Sequence, residues 1–266
     1  MNMYLHELKS MRKTTLIWTC AIIGIAALYL TLYPGIVSDA AAFKKMLEGY
    51  PPAFRTAIGL SVDAITSMLS FYSFAFIYVT LCGAIQAMNL GVSVLTKETR
   101  GHTCDFLLVK PVSRNAVLSA KVAAALTCFL FTNVFYTAAA YIIASSIKTA
   151  YFSGRLFLMI NATLLFIQII FFAVGLFISV LAPRLKSVLP VSLGTVFGLY
   201  FGGMLLAKDQ NSPLRFFSPF RYFNTAYIIK NNAYENVFLI AGAAVVIIAT
   251  AASYFIYNRR DIQAVS

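Results

Sequence analysis

The charged side chains that could do chemistry in this sequence are gathered in one polar segment, residues 96–114. Six of them occur within nineteen residues, namely Lys97, Glu98, Arg100, Asp105, Lys110 and Arg114. Apolar runs long enough to cross a membrane lie on both sides of the segment. Because charges at this density must be hydrated or paired, the segment must lie in water or against another protein.

Catalytic groupings are missing from the apolar runs. His6 and His102 are the only histidines, both lie outside the runs, and no run contains a pair of acids. An intramembrane protease or lipid hydrolase would need a Ser/His, paired-Asp or H-E-x-x-H grouping at membrane depth. The four cysteines lack the spacing of a metal site or a disulfide. We therefore expect a chain with no catalytic residues, no metal site and no bound cofactor.

The elements that hold the polar segment are apolar helices. The chain is 60% hydrophobic and 11% charged, whereas a soluble domain carries about 25% charged residues. We expect an all-α, polytopic integral membrane protein with an N-terminal amphipathic interfacial helix over residues 1–13, and a first span that ends at Pro34-Gly35. The six predicted transmembrane helices cover about residues 14–33, 67–89, 118–145, 156–181, 188–207 and 236–257.

Basic residues set the predicted orientation. Six spans place both termini on one side, and that side carries 12 Lys and Arg against 9 on the other. The short connection at 182–187 and the C-terminal tail are basic with almost no acid, which favours the cytoplasm for both termini and for residues 96–114. Lys121, at the start of the third span, is expected to snorkel to the surface. We attribute the net charge of +12 to these orientation signals. We therefore predict no nucleic-acid partner.

Several polar or small residues lie within the predicted spans. Gln86, Asn133 and Gln168 are candidates for a substrate pathway, or for hydrogen bonds between helices. Gly194, Gly198 and Gly202 recur every fourth residue, so they lie on one face of the fifth span and allow close approach of another helix. That helix belongs either to a second subunit, which we favour, or to this chain. Residues 212–230 alternate aromatic and polar side chains, and their two prolines predict a cap of short helices.

The polar segment has local signals for a short helix of its own. Gly101 interrupts the end of the second span, Thr103 can cap a helix, and Asp105 lies in its first turn, where the helix dipole favours an acid. Pro111 stops this helix, and Ser113 can cap the third span. The apolar face is supplied by Phe106, Leu107 and Leu108. A short cytoplasmic helix held between two spans has a suitable shape for docking into a groove of a partner.

The segment resembles the coupling loop of ABC-2 type transporter permeases. The resemblance is carried by Glu98-x-x-Gly101, Asp105-x-Leu107-Leu108 and Pro111-Val112-Ser113-Arg114, with one residue fewer after Glu98 than in the family pattern. Six spans, the amphipathic N-terminus, Ser218-Pro219-Phe220-x-Tyr222 before the last span and Arg259-Arg260-Asp261 at the end are similar to the family too. The resemblance covers nearly the whole chain and implies a single ABC-2 type transmembrane domain over residues 1–266.

What the resemblance implies is a permease subunit of an exporter in a bacterial cell membrane. Cytoplasmic ABC ATPase subunits would dock at residues 96–114 and carry the ATP and Mg²⁺, and a second permease copy or paralogue would complete the pathway. This chain has no G-x-x-x-x-G-K-[ST] phosphate loop. The residues implied to couple to the ATPase are Glu98, Arg100, Gly101, Asp105, Phe106, Leu107, Leu108, Pro111 and Arg114. A non-transporting membrane scaffold, or an immunity protein that sequesters a peptide, stays open as the alternative.

Overall fold

Seven α-helices form the bulk of the described protein. The computed structural model describes residues 3–38, 45, 49, 51, 67–100, 113–147, 152–182, 185, 187–206 and 212–259. Within these residues there are helices and no strands. The α-helices are α1 (Met3–Ser38), α2 (Met68–Arg100), α3 (Arg114–Ile147), α4 (Gly154–Leu181), α5 (Val188–Leu206), α6 (Thr225–Asn231) and α7 (Asn236–Arg259), and two 3₁₀ helices cover Pro213–Phe217 and Pro219–Arg221.

Six of these helices, all except α6, are long and apolar enough to cross a membrane. The predicted all-α fold with six transmembrane helices is therefore confirmed. Pro34 does not end the helix, because α1 contains Pro34 and continues to Ser38, although the candidate membrane span ends at Gly35 as predicted. A proline removes one backbone hydrogen bond, whereas leaving the helix within the membrane would expose several. We call the side that holds both termini the near side, and the opposite side the far side.

The centre of the bundle is α4. It packs against α2, α7 and α3, while α1 packs against α3 and α2. Its sequence is apolar all round, which is typical of a helix enclosed by others. One buried cluster surrounds Phe157 and Ile160 in the first half of α4, and a second surrounds Phe171 and Leu176 in its second half. By contrast, α5 and α7 are the least buried of the six spans.

The first turns of α1 run in a different direction from the rest of the helix. The hydroxyls of Thr19 and Thr132 are 3.0 Å apart, and those of Tyr4 and Thr127 are 2.8 Å apart. If α1 and α3 were straight and parallel from the Thr19–Thr132 contact onward, Tyr4 would lie about 15 Å further toward the near side than Thr127. A tyrosine side chain cannot close that gap, so α1 bends between Tyr4 and Thr19. Its N-terminal part crosses α3 instead of running beside it, which fits the expected interfacial helix.

Candidate functional site

Three of the predicted coupling residues, Glu98, Arg100 and Arg114, lie where α2 ends and α3 begins on the near side. Glu98 and Arg100 are in the last turn of α2, and Arg114 is the first residue of α3. The backbone N–H of Ala116 donates to Ser113 Oγ at 3.3 Å, so the predicted cap of the third span is confirmed. The other implied coupling residues, Gly101, Asp105, Phe106, Leu107, Leu108 and Pro111, lie outside the described residues.

Lys121 of α3 contacts residues of α1 and α2 close to where α2 ends and α3 begins. It lies two turns into α3, and its side chain is 4% exposed. Its Nζ lies 3.3 Å from Glu7 Oε1 in the N-terminal part of α1. The same Nζ donates to the backbone oxygen of Val94, near the end of α2, at 3.0 Å. One cation therefore ties together α1, α2 and α3 next to residues 96–114, and we call Glu7, Lys121 and Val94 the near-side junction.

The prediction that Lys121 snorkels to the surface is wrong. A lysine at the start of a span can extend to water when lipid surrounds it, but Lys121 is enclosed by protein. A buried ammonium group needs a counter-charge and hydrogen-bond acceptors, which Glu7 and Val94 supply. Glu7 lies more than a hundred residues away in the sequence, so no local pattern could pair it with Lys121.

A polar network crosses the middle of the bundle, and it contains all three predicted pathway residues. Gln168 Nε2 donates to Gln86 Oε1 at 3.0 Å, and Asn133 Nδ2 donates to Gln168 Oε1 at 2.6 Å. Gln86 Nε2 donates to Thr132 Oγ1 at 3.2 Å, and the Thr132 hydroxyl meets that of Thr19. These contacts connect α1, α2, α3 and α4 at the level of Gln168, which lies halfway along α4.

The burial of this central network bears on its role. Gln86, Thr132 and Gln168 have no exposed surface. The side-chain amides of the two glutamines are hydrogen bonded to each other. Asn133 is partly exposed, and its Oδ1 accepts no hydrogen bond within the described part of the chain. In this conformation the network joins helices, and Gln86 and Gln168 are enclosed by protein. The assignment of these residues to a pathway stays a prediction.

Replacing Gln168 by leucine is expected to lower stability by about 1–2 kcal/mol, since it removes the hydrogen bonds to Gln86 and Asn133. Most of the cost comes from the buried Gln86 amide, which loses its donor. The double variant Gln86→Leu/Gln168→Leu removes that orphaned amide, so it should be more stable than the sum of the single variants. Thermal unfolding in detergent micelles measures all three. Strict additivity would show that the two amides act independently.

A second buried polar cluster lies nearer the far side. The hydroxyls of Tyr72 and Tyr136 are hydrogen bonded to each other, and the Tyr72 hydroxyl also donates to Asn161 Oδ1. Asn161 Nδ2 in turn donates to the backbone oxygen of Phe157 at 2.7 Å. All three polar side chains are buried. The cluster joins α2, α3 and α4 on the far side, as the central network does at half height.

The backbones of α2 and α4 approach each other closely where the two helices cross. A Cβ added to Gly91 would lie 2.6 Å from the Phe172 carbonyl oxygen and 3.0 Å from Gly175 Cα. A Cβ added to Gly175 would lie 2.8 Å from the Met88 carbonyl oxygen. No side chain fits between these backbones, so both positions require glycine. This crossing lies between residues 96–114 and the central network.

The three glycines singled out on α5 have different surroundings. A Cβ on Gly202 would lie 2.9 Å from Phe217 Cε1, so this glycine packs against the same chain. Gly194 and Gly198 are exposed, and no described atom lies within 4 Å of a Cβ added at either position. They lie on the face opposite to Ser192 and Val196, which pack inward. The assignment of Gly194 and Gly198 to a subunit interface stays a prediction, while Gly202 has a partner within the chain.

Residues 212–235 form a far-side cap between α5 and α7. Both prolines begin 3₁₀ helices, as their positions predicted. Arg215 is buried and donates two hydrogen bonds to Glu235, of 2.8 and 3.1 Å, and its guanidinium lies 4.1 Å from the centre of the Phe238 ring. An open groove of about 460 Å³ borders this ion pair. Its lining includes Pro213, Phe216, Tyr227 and Val237.

Tyrosine hydroxyls fasten the cap to itself and to the bundle. Tyr222 Oη donates to the Phe216 carbonyl oxygen and Tyr234 Oη donates to the Met159 carbonyl oxygen, both at 2.7 Å. Burial raises the pKa of Tyr222 and of Tyr234 above the ordinary value, so both hydroxyls stay protonated and keep donating. The cap is thus a packed structure. Among the described residues, no three His, Cys, Asp or Glu side chains are close enough to hold a metal ion.

Six apolar helices joined by polar contacts, with a buried junction beside a charged connection, define a multi-pass helical membrane protein. The family model described as "ABC-2 family transporter protein" matches residues 1–262, and the chain belongs to this family. The resemblance found in residues 98–114 is thereby confirmed. Proteins of the family are membrane components of transporters that typically work with ABC ATPases and are generally not catalytic themselves. No curated protein matches this chain.

The sequence reasoning missed the near-side junction and the crossing of α2 and α4. Gly91 and Gly175 have no other glycine one helical turn away, and such a glycine in a helical pattern signals close backbone approach. The regular spacing of glycines on α5 was the stronger pattern, yet Gly194 and Gly198 pack against no described atom. For the junction, the available signal was a lysine just inside a span together with an acid in the N-terminal helix.

Proposed function

We propose that this chain is the transmembrane permease subunit of an ATP-binding cassette exporter, driven by a separate ATPase subunit that docks at residues 96–114. The observation that carries the proposal is the family match, combined with the placement of this charged segment between α2 and α3. Both helices are continuous and about 50 Å long. A displacement applied to the segment therefore acts directly on two helices that traverse the whole bundle.

The contacts around the segment support transmission of such a displacement. The near-side junction holds the end of α2, the start of α3 and the N-terminal part of α1 together. Further into the membrane, α2 bears on α4 through Gly91 and Gly175. Movement of the segment would therefore shift α1, α2 and α3 as a group against α4. The central network lies directly in the path of that shift.

ATP and Mg²⁺ belong to the partner in this proposal. The chain contributes no group to nucleotide chemistry, and its own part is to bind the ATPase and change conformation. No cofactor is assigned to it. We place both termini and residues 96–114 in the cytoplasm of a bacterial cell, because the short near-side connections are basic.

A second permease, either another copy or a paralogue, is proposed to pack against the open face of α5. No atom in the described part of the chain lies within 4 Å of a Cβ added to Gly194 or Gly198 there. The opposite face of α5 is already packed against its own bundle through Val196 and Ser192. A second helix could approach closely at the two glycines, and the transport route would then run between the two permeases.

Charge reversal at Arg100 or Asp105 is expected to reduce co-purification with the ATPase at least tenfold, because ion pairs across the docking surface would become repulsive. Membrane insertion and the yield of the permease should stay unchanged. The chain is co-expressed with its genomic neighbours, and any ATPase retained with the tagged permease is measured. Arg259→Glu is the matched control, since Arg259 is an exposed near-side arginine outside the segment.

Two results would contradict the proposal. Wild-type permease that never retains an ATPase would rule out the exporter, and full retention by both Arg100→Glu and Asp105→Lys would rule out the assigned docking residues. ATP-dependent movement of a substrate in vesicles separates an exporter from a scaffold or an immunity protein, because the latter two move nothing.

A further inference from the structure

Arg221 occupies an unusual place in the far-side cap. It ends the 3₁₀ helix Pro219–Arg221, and its Cγ would lie 3.6 Å from a Cβ added to Gly203 of α5. Gly203 is one turn before Leu206, where α5 ends. The aliphatic stem of Arg221 therefore lies on the last turn of a transmembrane helix. That level corresponds to the boundary between hydrocarbon and lipid headgroups on the far side.

The charge around Arg221 is unbalanced. Glu235 is the carboxylate of the described cap, and both of its oxygens accept hydrogen bonds from Arg215. Within the described residues, no carboxylate lies within ion-pair distance of Arg221. Burial and the nearby Arg215 lower the pKa of Arg221 from its ordinary value, although an arginine stays charged. The cap thus holds two guanidinium groups for one carboxylate at the membrane boundary.

Aromatic side chains continue from Arg221 into the membrane. Tyr200 lies one turn before Gly203, on which the Arg221 stem packs, and its ring packs edge-on against Phe220, the residue before Arg221, at 5.5 Å. Tyr78 belongs to α2, which packs against α5. Tyr78 and Phe197 are both exposed. Phe197 is three residues before Tyr200 and so lies below it on the same flank of α5. Tyr200 lies about 120° round α5 from Gly194 and about 160° from Gly198, so it faces away from the proposed permease interface, whereas Phe197 borders that interface.

We propose that Arg221 and Tyr200 bind the anionic headgroup of a phospholipid in the far-side leaflet, with its acyl chains lying against Tyr78 and Phe197. The phosphate accepts charge-assisted hydrogen bonds from the guanidinium and one hydrogen bond from the tyrosine hydroxyl. The exposed rings below offer an apolar surface at the depth of the acyl chains. A soluble anion would use only the upper half of this arrangement, which favours a lipid. The site does not depend on ATPase docking.

The test compares phosphatidylglycerol with phosphatidylcholine of identical acyl chains, titrated into the purified full-length protein in detergent. Thermal stabilisation as a function of lipid concentration yields an apparent Kd for each lipid. We expect wild type to bind phosphatidylglycerol about tenfold more tightly than phosphatidylcholine. Arg221→Gln should remove this preference, and Tyr200→Phe should weaken it about threefold. Arg155→Gln, which removes an exposed far-side arginine at the start of α4, should leave it unchanged.

Several results would overturn the proposal. Equal affinity of the wild-type protein for the two lipids would overturn it. This comparison needs no variant, so it decides the question even if Arg221→Gln fails to fold. Loss of the preference in Arg155→Gln as well as in Arg221→Gln would indicate a general effect of surface charge. Inorganic phosphate that stabilises the protein as strongly as phosphatidylglycerol would indicate a site for a soluble anion.

Discussion

Glu7→Gln is expected to lower the stability of this protein by about 3 kcal/mol. The substitution keeps the size of the side chain but removes the negative charge 3.3 Å from Lys121 Nζ. Lys121 is almost fully buried, so its ammonium group cannot be rehydrated in compensation. Breaking a buried ion pair in this way costs about 3–5 kcal/mol, and the remaining hydrogen bond to Val94 places the expected value at the lower end.

The companion variants distinguish a buried pair from a general loss of charge. Lys121→Met should cost less than Glu7→Gln, because Glu7 is 16% exposed and can turn to water. Glu7→Gln/Lys121→Met should recover much of the stability that Glu7→Gln loses, since no buried charge is left uncompensated. Lys9→Gln is the control, as Lys9 is exposed on the same helical segment and should change stability by about 0.5 kcal/mol or less.

Thermal unfolding in detergent, monitored for all four variants, measures these differences. If Glu7→Gln melts at the same temperature as Lys9→Gln, the near-side junction contributes nothing to stability. If the double variant is as unstable as Glu7→Gln alone, the cost arises from the glutamine itself and not from an uncompensated Lys121. The proposed transmission through the junction would lose its support in either case.

Gly91→Ala is the second substitution with a large expected effect, a loss of about 1–3 kcal/mol with the upper end favoured. The added methyl group would lie 2.6 Å from the Phe172 carbonyl oxygen and would face backbone atoms of α4 that cannot rotate away. The two helices must therefore separate. Gly175→Ala should have a similar cost, because its methyl group would lie 2.8 Å from the Met88 carbonyl oxygen on the other side of the same crossing.

The matched controls are Gly24→Ala and Gly35→Ala, which are expected to be neutral or to change stability in the opposite direction. Both glycines lie within transmembrane helices, and no described atom lies within 4 Å of the added methyl group. Alanine restricts the unfolded backbone more than glycine does, so each control should be neutral or stabilise the protein by about 0.5–1 kcal/mol. Only the position of the methyl group differs among these variants.

The Gly91→Ala/Gly175→Ala variant tests whether the two sites form one contact. Once α2 and α4 have moved apart for the first methyl group, the second should cost less, so the double variant should be more stable than additivity predicts. Unfolding temperature and the amount of protein in the membrane are measured for each variant. Strictly additive losses, or a control as unstable as Gly91→Ala, would show that the crossing is not a tight backbone contact.

The sequence by itself determined the class of fold and its local boundaries. Apolar runs predict the six spans because hydropathy and length decide whether a helix can cross a membrane. Ser113 and Pro213 act on their own neighbours, so their positions predicted a helix cap and a break. Pro34 does not end its helix, because the hydrogen bonds of the surrounding helix outweigh the one that proline removes. The motif over residues 98–114 identified the family, which the match over residues 1–262 confirms.

Only the tertiary structure decided which distant residues meet. A buried lysine requires an acid, yet nothing local to Lys121 selects Glu7 on another helix. Gln86 and Gln168 were recognisable as polar groups in a membrane, whereas their hydrogen bond depends on the packing of α2 against α4. Among the glycines, the regular stripe of Gly194 and Gly198 is open. Gly91, which belongs to no such stripe, faces the backbone of α4, because the rotation and neighbours of each helix decide which glycine faces a partner.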